Sequence, residues 1–133
     1  EEKDIQVKND IDTDIMAYVD QNVFDTVMRN LLSNAIKFTN KGGHVRISAK
    51  TENGQTQISL RDTGRGIPRD DMDHLFSINK NLSTQGTSNE QGTGLGLILC
   101  KELIEKSRGQ IWAHSNPGKG SIFSFTLPGK PSR

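Results

Sequence analysis

A row of amides and one ammonium group stands out in the run Asn30–Phe38. Asn30, Asn34 and Lys37 are spaced four and then three residues apart. At helical pitch this spacing places the three side chains along one edge of an apolar stripe. An amide oxygen can ligate Mg²⁺ and a lysine can meet phosphate oxygens, whereas Asn is a poor residue for a helix interior. The row therefore indicates a site for a metal-bound polyphosphate. The alternative is a polar helix edge that faces water.

A glycine-rich run, Gly92-Thr93-Gly94-Leu95-Gly96-Leu97, opens a second predicted helix. A helix N-terminus offers unpaired N–H groups and roughly half a positive charge, and glycines let phosphate oxygens approach it closely. A dinucleotide-binding turn would follow a strand and carry a later glycine, where Leu97 stands. A P-loop would continue with Lys and then Ser or Thr, which this run lacks. The run indicates a phosphate site of another kind, or a plain glycine-rich turn.

A carboxylate at the end of a predicted strand is the third candidate for chemistry. Asp62 is followed by Gly64 and Gly66, which let the backbone fold against a flat ligand. A carboxylate only accepts hydrogen bonds. A buried Asp62 would therefore bind the exocyclic amine of adenine and repel the carbonyl oxygen of guanine. The alternative is an aspartate that starts a turn.

Alternating apolar and polar residues predict the strands that position these groups. We expect strands at Ile5–Lys8, Met16–Val19, 45–50, 57–61, 110–115 and 121–127. Asn53-Gly54 readily supplies positive φ for a hairpin turn, and a second hairpin is expected before Ser121. Neighbouring strands should then be mostly antiparallel, in a sheet with one wet face and one dry face.

Amphipathic helices are predicted to cover the dry face. They are a helix that starts after Asp20 or Asn22 and ends near Thr39, a short helix from Pro68 to Phe76, and a helix from the glycine run to about Ser107, capped by Gly109. The polar stretch Ser77–Gln91 is too long for an ordinary connection and indicates a lid or, as the alternative, a disordered loop. Together the layers make a two-layer α+β sandwich.

The composition limits the class of protein. A chain of 133 residues suits one domain over 1–133, here expected to be excised from a longer protein. A formal net charge of +1 gives no electrostatic reason to expect nucleic acid or an anionic membrane. No apolar run approaches the roughly 20 residues that cross a bilayer, and no signal peptide is visible. The single Cys100 excludes an internal disulfide and predicts a buried structural thiol in a reducing compartment.

Four motifs in this order resemble the N, G1, F and G2 boxes of sensor histidine kinases. They are Asn30–Phe38, Asp62–Gly66, Leu75-Phe76 and Gly92–Leu97, and the resemblance covers nearly the whole chain. The chain is similar to the catalytic, ATP-binding domain of these kinases, within the gyrase, HSP90, histidine kinase and MutL superfamily. The resemblance implies the Bergerat ATP-binding fold. This is an α+β, two-layer sandwich whose mixed, mostly antiparallel sheet of about five strands is covered on one face by three helices.

The resemblance also implies a role for each motif residue toward Mg·ATP. Asn34 would ligate Mg²⁺, Asn30 would support the phosphate and metal site, Lys37 would meet phosphate oxygens and Phe38 would pack near the nucleotide. Asp62 would bind the adenine amine beside Gly64, Gly66 and Ile67, and Ser121 would reach adenine through water. Phe76 would anchor the lid, and Gly92, Thr93, Gly94, Leu95, Gly96 and Leu97 would hold phosphates and hinge the lid.

Two departures from the family pattern bear on the reaction. Hydrolytic members carry a Glu four residues before the metal-binding Asn, where this chain has Asn30, and an amide is no base near neutral pH. We therefore expect poor ATP hydrolysis and transfer of the γ-phosphoryl group to another acceptor. The lid stretch has no Arg, and its one cation, Lys80, would act in transfer as a point charge.

The expected function is transfer of the γ-phosphoryl group to a histidine on a separate dimerisation domain, in two-component signalling. His44, His74 and His114 do not resemble the acceptor histidine, so the acceptor lies in another domain of the same or a sister chain. A response regulator is an indirect partner. The domain is expected to be a cytoplasmic monomer without contact to nucleic acid or membrane, whether or not its parent is membrane-anchored. The alternatives are a superfamily ATPase, a nucleotide-binding pseudokinase and a protein-serine kinase that inhibits a sigma factor.

Overall fold

Five strands and two helices make up the part of the chain that the structure describes. The computed structural model describes residues 5–11, 15–39, 42–64, 66, 76, 95–116 and 119–129. The elements in chain order are β1 (Gln6–Asn9), α1 (Gln21–Phe38), β2 (His44–Glu52), β3 (Gln55–Asp62), α2 (Leu95–Lys106), β4 (Ile111–Asn116) and β5 (Gly120–Pro128). Neither helix is long and apolar enough to cross a membrane.

The strands form one mixed sheet in the order β1-β2-β3-β5-β4. β1 runs parallel to β2, and the other neighbouring pairs are antiparallel. Asn53 and Gly54 join β2 to β3 with φ of 55° and 80°, which confirms the predicted hairpin turn. In the register of the central strand β3, Asp62 lies between Val45 and Ser121. The mixed, mostly antiparallel sheet is as predicted.

Helix α1 begins and ends through local hydrogen bonds. The Asp20 carboxylate accepts from the backbone N–H groups of Asn22 and Val23, at 2.8 and 3.3 Å, and so caps the first turn. At the other end Thr39 is extended, with ψ of 136°, and its hydroxyl donates to the Ala35 carbonyl at 2.6 Å. Both predicted ends of the helix are confirmed.

Helix α2 ends in a Schellman motif whose left-handed residue is Arg108, with φ of 70°. The N–H groups of Arg108 and Gly109 donate to the carbonyls of Glu105 and Ile104, at 3.1 and 2.8 Å. The left-handed capping position is therefore Arg108, one residue before the predicted Gly109. Gly109 serves close approach instead, because a Cβ there would lie 1.8 Å from the Thr126 carbonyl oxygen.

The core lies between the two helices and one face of the sheet. Its buried side chains come from α1, the central strands and α2, and include Val27, Leu31, Leu60, Cys100, Ile104, Phe123 and Phe125. Phe24 meets Phe125 edge to face, with ring centroids 6.5 Å apart. Each large apolar side chain buried this way contributes roughly 1.5–3 kcal/mol of transfer free energy. The helix layer is therefore fixed on the sheet by packing.

The prediction of a strand at Met16–Val19 is wrong. Tyr18 donates its N–H to the Pro128 carbonyl at 2.8 Å, and the Met16 carbonyl accepts from the hydroxyl of Thr56. These bonds reach the end of β5 and a side chain rather than a strand ladder, so the segment stays outside the sheet. The predicted short helix over 68–76 and the lid over 77–91 lie outside the described residues, except for Phe76.

The other face of the sheet is turned away from both helices. It carries Arg46, Lys50, Arg61, Trp112, His114 and Ile122, which alternate along their strands with buried core residues. We call this surface the open face. His114 is exposed there and His44 is exposed at the start of β2. His74 lies outside the described residues.

Candidate functional site

The carboxylate of Asp62 is held in place at the end of β3, where the side chain is only 2% exposed. One oxygen accepts from the Gly64 N–H at 2.9 Å and the other from the Ser121 hydroxyl at 2.7 Å. The Ser121 N–H is a third donor. A carboxylate offers about four acceptor positions, so the donors among the described residues leave one position for a ligand.

Burial raises the pKa of Asp62 above the ordinary value for an aspartate. The hydrogen bonds from Ser121 and Gly64 oppose that rise because they stabilise the ionised form. The result is a buried acceptor at the edge of the core whose charge costs solvation. Such a group can select a ligand by its hydrogen-bond donors.

Gly120 lets the start of β5 reach Asp62, and sequence reasoning missed it. Its φ is +99°, and a Cβ there would lie 2.1 Å from the Asp62 carbonyl oxygen. No other residue fits this approach without movement of the backbone. The only local signal was a glycine before Ser121, which is equally typical of an ordinary hairpin.

Asn30 joins the two helices at the predicted phosphate end of the site. Its Oδ1 lies 3.2 Å from the position that a Cβ on Gly96 would take. Its side chain also hydrogen-bonds Cys100, whose thiol points toward the Val27 carbonyl, with a Sγ–O distance of 3.8 Å. Burial raises the pKa of Cys100 to about 11, so the thiol stays protonated near neutral pH. The contact brings the amide row of α1 against the start of α2.

Asn34 lies one helical turn after Asn30, and its amide nitrogen is buried. Within the described part of the chain, this Nδ2 is the one buried side-chain nitrogen or oxygen atom without a hydrogen-bond partner. A buried amide without a partner is costly, and a ligand oxygen or a bound cation at this place would compensate that cost. A half-turn about χ2 exchanges the amide nitrogen and oxygen, so the same side chain can present either a donor or a metal-ligating oxygen.

The structure describes some of the remaining predicted site residues and not others. Lys37 is half-buried in the last turn of α1, and the backbone of Phe38 ends that helix. Gly64 and Gly66 are buried after the end of β3. Described in or against the core are Leu97 on α2 and Phe76, whose ring meets Phe123 edge to face with centroids 6.4 Å apart. Leu95 begins α2, and Ile67, Lys80, Gly92, Thr93 and Gly94 lie outside the described residues.

Residues 19–131 match the family model described as histidine kinase-, DNA gyrase B- and HSP90-like ATPase. The adaptive-response sensory kinase SasA of Crocosphaera subtropica is 40% identical over 96% of this chain and 33% of its own length. The sensor histidine kinase WalK of Bacillus subtilis is 38% identical over 93% of this chain and 21% of its own. This chain therefore spans a third or less of these two relatives.

Solved structures of histidine kinases share the fold. The catalytic domain of ThkA superposes with a TM-score of 0.74 at 29% identity, over 95% of this chain and 78% of that one. Full-length ShkA in complex with AMPPNP gives 0.77 at 25% identity, over 98% and 27%. ThkA in complex with the response regulator protein TrrA gives 0.73 at 25% identity, over 98% and 36%.

The expected α+β fold is confirmed by these superpositions, and the expected family by the match along most of the sequence. The relatives named above are sensor kinases, and the structural neighbours include histidine kinase catalytic domains. The chain belongs to the family of histidine kinase-, DNA gyrase B- and HSP90-like ATPases.

Proposed function

We propose that this domain binds Mg·ATP and donates the γ-phosphoryl group to a histidine on a separate dimerisation domain, as the phosphate donor of a two-component sensor kinase. The contact between Asn30 and Gly96 carries the proposal, because it brings the amide row together with the glycine-rich helix start. Asp62 supplies a second recognition group on the helix-covered side of the same sheet.

The adenine end of the proposed pocket is built around Asp62. Its free acceptor position would take the exocyclic amine of adenine, while Gly64, Gly66 and Ile67 would form the wall against the ring. Ser121 donates to the carboxylate at 2.7 Å and would reach the base through water. The carboxylate has no donor for the carbonyl oxygen of guanine, so ATP would bind in preference to GTP.

The phosphate end would be built from α1 and the start of α2. Asn34 would ligate Mg²⁺, Asn30 would support the metal and phosphate site and Lys37 would meet phosphate oxygens. Phe38 would pack near the nucleotide, and Phe76 would anchor the lid. Gly92, Thr93, Gly94, Leu95, Gly96 and Leu97 would shape the phosphate loop and its hinge, and Lys80 would approach in transfer. Mg²⁺, when bound, would neutralise phosphate charge.

Transfer rather than hydrolysis is supported by the chemistry of Asn30. An amide is no base near neutral pH, and this amide already bonds the thiol of Cys100. Water in the pocket would therefore lack a group that takes its proton from this position. The γ-phosphoryl group would wait for a histidine that another domain presents in line.

The relatives and structural neighbours support the partners in this proposal. ShkA binds AMPPNP, an adenine nucleotide, and ThkA forms a complex with a response regulator protein. We infer that this domain acts on the dimerisation domain of the same or a sister chain and serves a response regulator indirectly. The proposed location is the cytoplasm, where ATP is available and where a free thiol such as Cys100 stays reduced.

The test mixes this domain with a separate histidine-bearing dimerisation domain of its parent kinase and γ-labelled ATP. Acid-labile phosphate on the partner is expected with the parent domain and is expected to be lost with Asn34→Ala. Label released as free phosphate without a labelled partner would instead support an ATPase. Bound nucleotide with neither product would support a pseudokinase.

A further inference from the structure

The open face of the sheet carries a groove. A cavity of about 450 Å³ lies over β2, β3, β5 and β4, with Arg46, Lys50, Arg61 and Trp112 among its lining residues. A second cavity of about 360 Å³ shares Arg61, His114 and Ile122 with the first, extends to Lys119 and is also lined by Asp62 and Ser121. The two cavities are therefore parts of one groove across four strands.

Two cations of this groove lack an acidic partner. Arg46 pairs with Asp10 at 2.8 Å, and Lys50 lies 3.7 Å from Glu52. Arg61 and Lys119 are exposed and form no ion pair with any residue that the structure describes. The end of the groove nearest the β4–β5 hairpin is thus positively charged, although the whole chain has a formal net charge of only +1.

The single tryptophan of the chain lies in the same groove rather than in the core. Trp112 is half-buried on β4, opposite Ser124 in the register with β5. Its neighbour two residues on, His114, faces Ile122 in the same way. Trp and Arg are the residues most often responsible for binding energy at protein interfaces, and here they flank one cavity.

We propose that the open face binds an acidic, extended segment of a partner protein. Carboxylates of the segment pair with Arg61 and Lys119, and the aliphatic part of a neighbouring side chain packs on Trp112. Ser59 and Ser124, which bond each other at 2.9 Å on the floor of the groove, offer small hydroxyls that leave room for a peptide backbone. A nucleic acid is disfavoured because the low net charge and two acid-paired cations give a weak electrostatic footprint.

Exposed charge pairs guide association more than they hold a complex. The interaction is therefore expected to be modest in affinity and to weaken with salt, since exposed charges are screened beyond about 10 Å at 0.1 M ionic strength. The groove lies on the open face, and its Lys119 end reaches Asp62 and Ser121 of the proposed nucleotide pocket. The inference does not depend on the proposed kinase activity.

The fluorescence of Trp112 reports binding in the groove directly, because the chain has no other tryptophan. The probe is a peptide of five Glu-Thr repeats, titrated into the whole domain while tryptophan fluorescence and calorimetric heat are recorded. A saturable change is expected that weakens as salt rises. Arg61→Ala and Lys119→Ala should each weaken binding roughly two- to fivefold. Lys106→Ala, which removes an exposed charge from α2 in the helix layer, is the matched control and should leave binding unchanged.

Four results would overturn the proposal. The first is the absence of both heat and fluorescence change at saturating probe. The second is equal binding of a Lys-Thr or Gln-Thr repeat peptide, which would mean that charge does not select the segment. The third is tighter binding of a single-stranded oligonucleotide, which would assign the face to nucleic acid. The fourth is equal loss of affinity in Lys106→Ala. Unfolding curves for each variant show that the fold is retained.

Discussion

Burial of the Asp62 carboxylate would let it select among nucleotides by their hydrogen-bond donors, and it destabilises the ionised form of the carboxylate. The raised pKa means that the folded state binds a proton on this group more readily than the unfolded chain does. The associated stability is present at low pH and is lost as the pH rises through the folded-state pKa. Adenine recognition needs the opposite form, the ionised acceptor. The pH that favours binding is therefore the pH at which this residue weakens the fold.

Asp62→Asn is expected to weaken ATP binding and reduce discrimination against GTP, while thermal stability at neutral pH is equal to that of the parent or higher. In the parent, ATP affinity should fall on acidification, and the fall should begin at a higher pH than for an aspartate with an ordinary pKa. The variant should not show this dependence of affinity on pH. Calorimetric titrations across pH and melting curves measure both effects. Asp25→Asn, on the exposed side of α1, is the control. Equal affinity of the parent for GTP would contradict the adenine assignment.

Asn34→Ala is expected to remove the Mg²⁺ dependence of nucleotide binding and most of the affinity. The fold should be retained, because the variant also removes a buried amide nitrogen that has no partner among the described residues. Titration of ATP with Mg²⁺ or with EDTA measures the effect. Ser33→Ala, exposed and next to it on α1, should behave like the parent. Unchanged ATP affinity in Asn34→Ala would remove the metal role proposed for this residue.

The candidate residues that the sequence predicted share one property: their type and spacing are unusual for their element. Two amides in a row on a helix and a carboxylate before two glycines are visible without any tertiary contact. Gly120 and Cys100 gave no such signal. Their importance comes from contacts with Asp62 and Asn30, which are distant in the chain. No local pattern encodes such contacts.

At the scale of elements, the packing of α1 on α2 depends on the small size of Gly96. A Cβ at this position would meet the Asn30 oxygen at 3.2 Å, so the amide would have to shift by a few tenths of an ångström. The helix itself would gain from alanine, by up to about 1 kcal/mol. The effects on stability and on the site are therefore opposite in sign.

Gly96→Ala should leave the melting temperature unchanged or higher and weaken nucleotide binding several-fold, since Asn30 is displaced. Differential scanning fluorimetry and ATP titration separate these effects. Glu102→Ala, exposed in the middle of α2, is a control for a general effect on the helix. A variant that loses stability and affinity in parallel would mean that Gly96 is needed for the fold alone.

Gly120→Ala should destabilise the fold by more than the roughly 1–2 kcal/mol that a left-handed conformation alone costs. The added Cβ would overlap the Asp62 carbonyl oxygen at 2.1 Å and separate β5 from β3. Gly42→Ala is the matched control, because its φ is also positive, at +82°, and no described residue beyond its chain neighbours lies within 4 Å of its added Cβ. Urea unfolding gives the two values. Equal losses would show that the approach of β5 to Asp62 carries no extra cost.

Elements that are formed by interactions between neighbouring residues were predicted correctly, whereas elements that depend on distant contacts were not. The Asn53-Gly54 turn and the Asp20 cap are set by neighbouring residues, and both were correct. Met16–Val19 has a strand-like composition, but its backbone bonds go to the end of β5 and to Thr56. The left-handed residue after α2 is Arg108, whereas Gly109 makes the close approach to Thr126. These two outcomes depend on tertiary contacts.

At the scale of the whole molecule, the sheet divides two surfaces. The helices lie on one side with Asp62 and the amide row, and the open face lies on the other. The layered architecture could be predicted from alternation, because a half-buried strand requires a cover on one face only. The charge of the open face could not, since it depends on the register that aligns Arg61 with Ile122 and His114 with Ile122.

ATP supplied to the isolated domain should be bound and turned over negligibly. The reason is that Asn30 cannot act as a base and the proposed phosphate acceptor lies on another domain. A coupled phosphate-release assay measures hydrolysis, and an ADP-release assay with the dimerisation domain present measures transfer, which forms ADP without free phosphate. Rapid phosphate release from the isolated domain would favour the hydrolytic members of the family.

The fully buried Cys100 has a practical consequence for motion in this molecule. It is the one thiol of the chain and is buried in the core against Val27 and Asn30 of α1, so a water-soluble thiol reagent reaches it only while the core is open. Its labelling rate therefore measures transient opening of the core, with no engineered label. A ligand that clamps the helices together slows the labelling, which gives native-state breathing a chemical readout in the unmodified chain.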